Sequence, residues 1–137
     1  MPDSQHLALL KQGVFTWNQW RQEHPEVLPD LNGVNMTWAH LSRIDLSGAN
    51  LSGADLTWAD LYKADLTLAD LSGANLSGAD LSGASLYKAN LQGADLKDAQ
   101  FYRADLREAN LHGVNLHKAV LDETALTDSQ EGRDGKR

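Results

Sequence analysis

The chain has 137 residues, 42% of them apolar, and its 12 Lys+Arg against 19 Asp+Glu leave a formal net charge of -7. That length supports one domain with short tails, and the acidity argues against a surface built to grip nucleic-acid phosphates. The absence of Cys excludes disulfides, thiolate nucleophiles and Cys-ligated metal sites, and no run approaches the roughly 18 apolar residues of a membrane span.

The chain opens Met1-Pro2-Asp3-Ser4-Gln5, without the basic end and apolar run of a secretory signal, so the cytoplasm is the expected compartment. Residues 5 to 22 read as one helix, because Leu7, Leu10, Val14 and Trp17 fall on a single stripe with Gly13 and Trp20 at its edge. Asp3 or Ser4 is the expected N-cap, and Pro25 limits extension. Residues 1–28 are thus assigned to a helical cap and linker. An apolar stripe of this kind also suits a docking helix, but the open end of a repeat structure exposes unpaired backbone and core that a cap covers.

From residue 29 to 128 the sequence repeats every five residues. The centres run Leu31, Met36, Leu41, Leu46, Leu51 and onward through Phe101 to Leu126, twenty in all, with only Met and Phe substituting for Leu. Two residues before each centre stands a small residue, usually Ala, and directly before it Asp or Asn, as in Ala54-Asp55-Leu56. A period of five fits neither a 3.6-residue helix nor a two-residue strand. The pattern predicts a solenoid of short extended sides and corners with Leu and Ala inward and stacked coils about 4.8 Å apart.

The number of units per coil follows from the exceptions. At twenty-residue spacing the second position after the centre reads Gly33, Gly53, Gly73, Gly93, Gly113, an unbroken column that predicts positive-φ type II turns along one corner. The same spacing alternates Asn35, Asp55, Asn75, Asp95, Asn115, which keeps like charges apart across a ladder. Two other sides break that rule, with Asp45 over Asp65 and Asp60 over Asp80. Residues 129–137 are polar and short and read as a disordered tail.

The run Ala-Asp/Asn-Leu-x-x, as in Ala54-Asp55-Leu56-Thr57-Trp58 and Ala64-Asp65-Leu66-Thr67-Leu68, resembles the pentapeptide-repeat proteins. The resemblance implies an all-β solenoid, a right-handed quadrilateral β-helix of about five coils here, with an N-terminal α-helical cap. Leu9 to Val14 with Trp17 to Arg21 is similar to the N-terminal segment of many cyanobacterial members.

Several side chains are candidate sites. Stacked Asp60 and Asp80 invite comparison with a glycosidase carboxylate pair, yet the same Asp recurs along the repeat, where it accepts backbone N–H groups. His112 and His117 have no converging carboxylate, and Ser47, Ser52, Ser72, Ser77 and Ser82 have no paired base. No enzyme activity, cofactor or metal is therefore expected. The register stacks Trp38 on Trp58 at one outward corner, where they either cover each other or lie under the N-terminal segment, or else form with Tyr62 and Leu68 the candidate interaction surface, with Tyr87 and Tyr102 also outward. Val120 and Ala125 are the only apolar residues directly before a centre, which makes the last coil a candidate end-to-end contact.

The sequence thus points to a non-catalytic scaffold or protein-interaction module, a monomer or end-to-end dimer, with another protein as partner and no direct nucleic-acid or membrane binding. The resemblance implies two alternatives: a DNA mimic that interacts with gyrase, and a regulator of cyanobacterial cell differentiation. Mimicry needs dense outward negative charge, whereas the two positions after the centres carry five acids and seven bases.

Overall fold

The computed structural model describes residues 1–131 of the chain. Two short helices come first, α1 (Ser4–Lys11) and α2 (Val14–Glu23), in place of the single helix expected over residues 5 to 22. The break is Gly13, whose φ of 100° lies outside helical space and is accessible to a residue without Cβ. Asp3 caps α1, its carboxylate accepting the N–H groups of Gln5 and His6 at 2.8 and 3.1 Å. The two helices bury different members of the apolar stripe, Leu10 from α1 and Trp17 from α2, while Leu7, Val14 and Trp20 pack half-buried against the same core.

From Asp30 onward the chain winds in coils of twenty residues. Parallel bridges join Asp30 to Asn50, Asn50 to Asp70, Asp70 to Asn90 and Asn90 to Asn110, and the three other sides pair at the same spacing. Four five-residue units therefore complete each turn. Each central residue from Leu31 to Leu106 donates its N–H to the coil ahead, as Leu51 does to Asp70 at 2.7 Å, and its carbonyl closes the corner by accepting from the residue three positions on. The ladder persists as β1 (Asn110–Leu111) against β2 (Gln130–Glu131). The repeat thus runs past residue 128 into the start of the expected tail; residues 132–137 lie outside the described residues.

The core is a column of Leu and Ala. From Leu46 to Leu96 every central Leu is wholly buried, and the alanines from Ala49 to Ala109 are at most 1% exposed. The small Ala beside each Leu keeps the walls close, and in the first coil the same position accepts the larger Val34 and Ile44, both buried. Wherever Asp or Asn stands directly before a centre, its side chain accepts the N–H two residues on, as Asp70 does from Ser72 and Asn75 from Ser77. This Asx turn sets the bend into the corner.

The corners differ from the expectation in one respect. Positive φ is not confined to the glycine column: Trp38, Arg43, Trp58, Lys63, Leu68, Lys88 and others adopt φ of 54 to 64° at the same position of their own units. Every corner is therefore left-handed at its third residue. Repetition of one corner geometry imposes the same turn on all four sides, and side chains that disfavour it are carried by the core and ladder on either side.

Candidate functional site

The tryptophans divide into two pairs. Trp17 and Trp20 belong to the helices, with ring centroids 5.3 Å apart, and the indole N–H of wholly buried Trp17 donates to the Asp45 carbonyl at 2.7 Å. Around it, Asn18 bonds the Arg43 carbonyl and the Asp45 N–H, and Arg21 reaches the Asp45 and Ser47 carbonyls. At α1, Asp3 N–H donates to the Asp30 carbonyl while His6 Nδ1 accepts the Asp30 N–H. These side chains occupy backbone groups of the first coil that have no preceding coil to pair with. His6 and Arg21 are buried in doing so. Sequence reasoning weighed the apolar stripe alone and missed His6, Asn18 and Arg21; polar residues flanking Trp17 in register with the stripe were the available signal.

Trp38 and Trp58 do the opposite. Their rings stack with centroids 5.5 Å apart and planes 13° off parallel, yet they remain 65% and 48% exposed. One coil further on the same corner is Gly78, and a Cβ there would fall 2.5 Å from the Trp58 ring. Gly78 is the bed on which the stack lies.

The side that starts at this corner runs through Ala59, Asp60, Leu61 and Tyr62 to the corner at Lys63. Trp38, Trp58 and Tyr62 thus border one face. Leu68, also exposed, sits one corner further round and does not join them. At the far corner a groove of about 370 Å³ is lined by Tyr62, Lys63, Ser82, Gly83, Tyr102 and Arg103. A second hollow of about 280 Å³ lies between α1 and the first coil, among Leu7, Leu10, Met36 and His40.

The charged groups are held locally. All nine Asp residues directly before a centre, from Asp30 to Asp105, accept the N–H two positions on. Three are held below the usual carboxylate range: Asp30 by the Asn32 side chain and N–H, Asp55 by the Thr57 hydroxyl and N–H, and Asp105 chiefly by hydrogen bonding to Arg107. The guanidinium of Arg103 is raised by its hydrogen bond to Glu123. Asp60 and Asp80, neighbours in the ladder, each give one oxygen to the N–H of Tyr62 and Ser82. Among the described residues no group of three or more His, Asp or Glu is arranged to hold a metal, and no helix is long and apolar enough to cross a membrane.

In the last coil Val120 is 36% exposed and Ala125 half-buried, with Leu121 and Leu126 only partly covered. Val120 and Ala125 pair in the ladder with Gln100 and Asp105, which places them on the sides of the rod.

A model of the family described as pentapeptide repeats matches residues 30–67, 64–99 and 99–130, in eight copies. The chain is a pentapeptide-repeat protein. A crystal structure of the pentapeptide repeat protein Rfr23 from the cyanobacterium Cyanothece 51142 is similar over 85% of this chain and 99% of that one, at 31% identity and a TM-score of 0.69. The fold of this pentapeptide-repeat protein is accordingly a right-handed β-helix-type solenoid. HetL, a pentapeptide repeat protein involved in heterocyst differentiation regulation in Nostoc, is 32% identical over 75% of this chain and 60% of its own, with a TM-score of 0.29. QnrB1, a plasmid-mediated fluoroquinolone resistance protein, is 19% identical over 73% of this chain and 64% of its own, with a TM-score of 0.42. No curated protein sequence matches the chain.

Proposed function

We propose that this pentapeptide-repeat protein is a non-catalytic binding module that engages another protein through the face bordered by Trp38, Trp58 and Tyr62. The observation that carries this reading is the exposed Trp38–Trp58 stack. Burying an indole is favourable by a few kcal/mol, and stacked aromatics left open to water are the anchors that interfaces draw on. A rigid rod presents them with little conformational entropy to lose on binding.

The rest of the chain supports that face. Residues 1–28 cap a quadrilateral solenoid of about five coils over residues 29–128, the reading supported by the helix-to-coil hydrogen bonds of Trp17, Asn18 and Arg21. The protein acts in the cytoplasm without binding nucleic acid directly. It is a monomer, or a dimer through the last coil near Val120 and Ala125; sedimentation velocity over a concentration series distinguishes these, and a single monomer mass throughout removes the dimer.

DNA mimicry directed at gyrase is the weaker reading, because the nine ladder aspartates are engaged locally and the corners carry more bases than acids. A role in cell differentiation rests on family membership alone. The test is capture from host lysate with the tagged chain and with Trp38→Ser/Trp58→Ser, using Phe15→Ser as control. Phe15 is 82% exposed on α2 and not part of the repeat face. A protein lost with the Trp variant and kept with the Phe15 variant supports the reading. Identical captures by all three forms overturn it, and capture of gyrase promotes the mimicry reading.

A further inference from the structure

The face proposed for binding ends at a basic corner in an acidic molecule. At twenty-residue spacing that corner holds Arg43, Lys63, Gly83, Arg103 and Glu123, so three of its five positions are cations in a chain of net charge -7. Each cation lies beside a tyrosine: Arg43 and Lys63 are 5.8 and 5.5 Å from the Tyr62 ring centroid, and Arg103 is 5.3 Å from that of Tyr102. Such contacts orient a flexible cation without neutralising it. Among the described residues Lys63 has no ion-pair partner, while Arg103 gives its Nε to Glu123 at 3.0 Å and keeps its terminal N–H groups.

Gly83 is what opens the site. Where its neighbours along the corner carry long side chains, Gly83 carries none, and the missing bulk leaves the groove of about 370 Å³ between the Tyr62 and Tyr102 rungs. The Lys63 stem leans across the gap, since a Cβ on Gly83 would come within 3.0 Å of Lys63 Cγ. The floor is Ser82 and Gly83, the walls are Tyr62 and Tyr102, residues 38% and 42% exposed, and the two ends are cationic. The nearby carboxylates of Asp60 and Asp80 already accept the Tyr62 and Ser82 N–H groups.

We propose that this groove binds the acidic side chains of an extended peptide segment of the partner protein. The inference rests on the reading of the chain as a binding module and names the chemistry that module selects. Two coils separate the Lys63 and Arg103 rungs by about 9.6 Å, and carboxylates two or three residues apart in an extended peptide are about 7 to 10 Å apart. Arg and Lys supply charge-assisted hydrogen bonds, and the tyrosine rings cover the methylenes of Glu. Elsewhere at the corners Lys88 is paired with Glu108 and Arg107 with Asp105, which leaves unpaired Lys63 the more open to an anion.

The test is fluorescence anisotropy of labelled hexaglutamate with the full chain, with tripolyphosphate and hexaglutamine as competitors. Binding is expected that hexaglutamate displaces and hexaglutamine does not, and Lys63→Gln/Arg103→Gln weakens it by about tenfold or more. The decisive variant is Gly83→Arg. It adds a positive charge but fills the groove, and its fold is supported by Lys63 and Arg103, which already hold φ of 54 and 58° at equivalent positions; circular dichroism verifies it. The groove account predicts loss of binding in Gly83→Arg, whereas attraction by bulk charge predicts a gain. Unchanged or tighter binding by Gly83→Arg overturns the inference, as does binding of tripolyphosphate in the absence of peptide binding. If hexaglutamate does not bind while Trp-dependent capture persists, the inference fails and the proposed function stands.

Discussion

Asp98 and Lys118 hold φ of 62 and 61° on the same corner where Gly78 holds 69°, so one left-handed corner is met both with and without a side chain. The cost for an L-residue is about 1–2 kcal/mol, and it is separable from packing by comparing two glycines. Gly53 has nothing within 4 Å of an added Cβ, whereas Gly78 would drive a Cβ into the Trp58 ring at 2.5 Å. Gly53→Ala is therefore expected to cost about 1 kcal/mol, from backbone conformation alone. Gly78→Ala is expected to cost more and to tilt Trp58 off its bed, with chemical denaturation reading the first effect and tryptophan emission the second. The aspartates make a further prediction at this scale. Asp55 and Asp105 titrate below the usual carboxylate value in the folded chain, so their stabilisation is complete above the unfolded pKa of about 3.9 and is lost as pH falls through the folded one. The melting temperature should hold from neutral pH to about 5 and drop below about 4. Asp55→Asn/Asp105→Asn should show a shallower drop, and an equally steep one would contradict this assignment.

The helices show why some elements were legible and others were not. A five-residue repeat states its register twenty times, so the coil length, the inward Leu and Ala and the outward Trp38 were readable from spacing alone. The break at Gly13 was not, because the stripe Leu7, Leu10, Val14, Trp17 satisfies one continuous helix equally well; only the docking of each half onto a different part of the first coil separates them. Left-handed corners at Trp38, Lys63 and Leu68 were hidden for a related reason: local preference opposes them, and the repeating ladder overrides it. The groove between Tyr62 and Tyr102 depends on which long side chains flank a single glycine across three coils, a relation that no single unit of the repeat displays. Docking by α2 is itself testable. Trp17→Ala removes a wholly buried indole together with its bond to the Asp45 carbonyl and is expected to cost about 3–5 kcal/mol. Because nearest-neighbour stability propagates along a solenoid, the first coil should lose amide protection before the last; uniform loss along the rod would contradict that order.

In the whole molecule the two tryptophan pairs have opposite tasks. Trp17 and Trp20 complete the rod at its first coil, and Trp38 and Trp58 remain outside it as a surface for a partner. The solenoid makes this division possible, since a core of Leu and Ala satisfies the fold without calling on any residue at the corners. Side chains there are free to differ from coil to coil, and they do so at three of the four corners, the fourth being the glycine column from Gly33 to Gly113. Acrylamide quenching of tryptophan emission, compared between the wild-type chain and Trp38→Ser/Trp58→Ser, tests the division most directly. The account predicts that the wild type has a readily quenched fraction and that the variant, still folded, loses it and retains a largely shielded emission. An accessible fraction of the same size in the variant would place the exposed indoles in the helices and contradict the account.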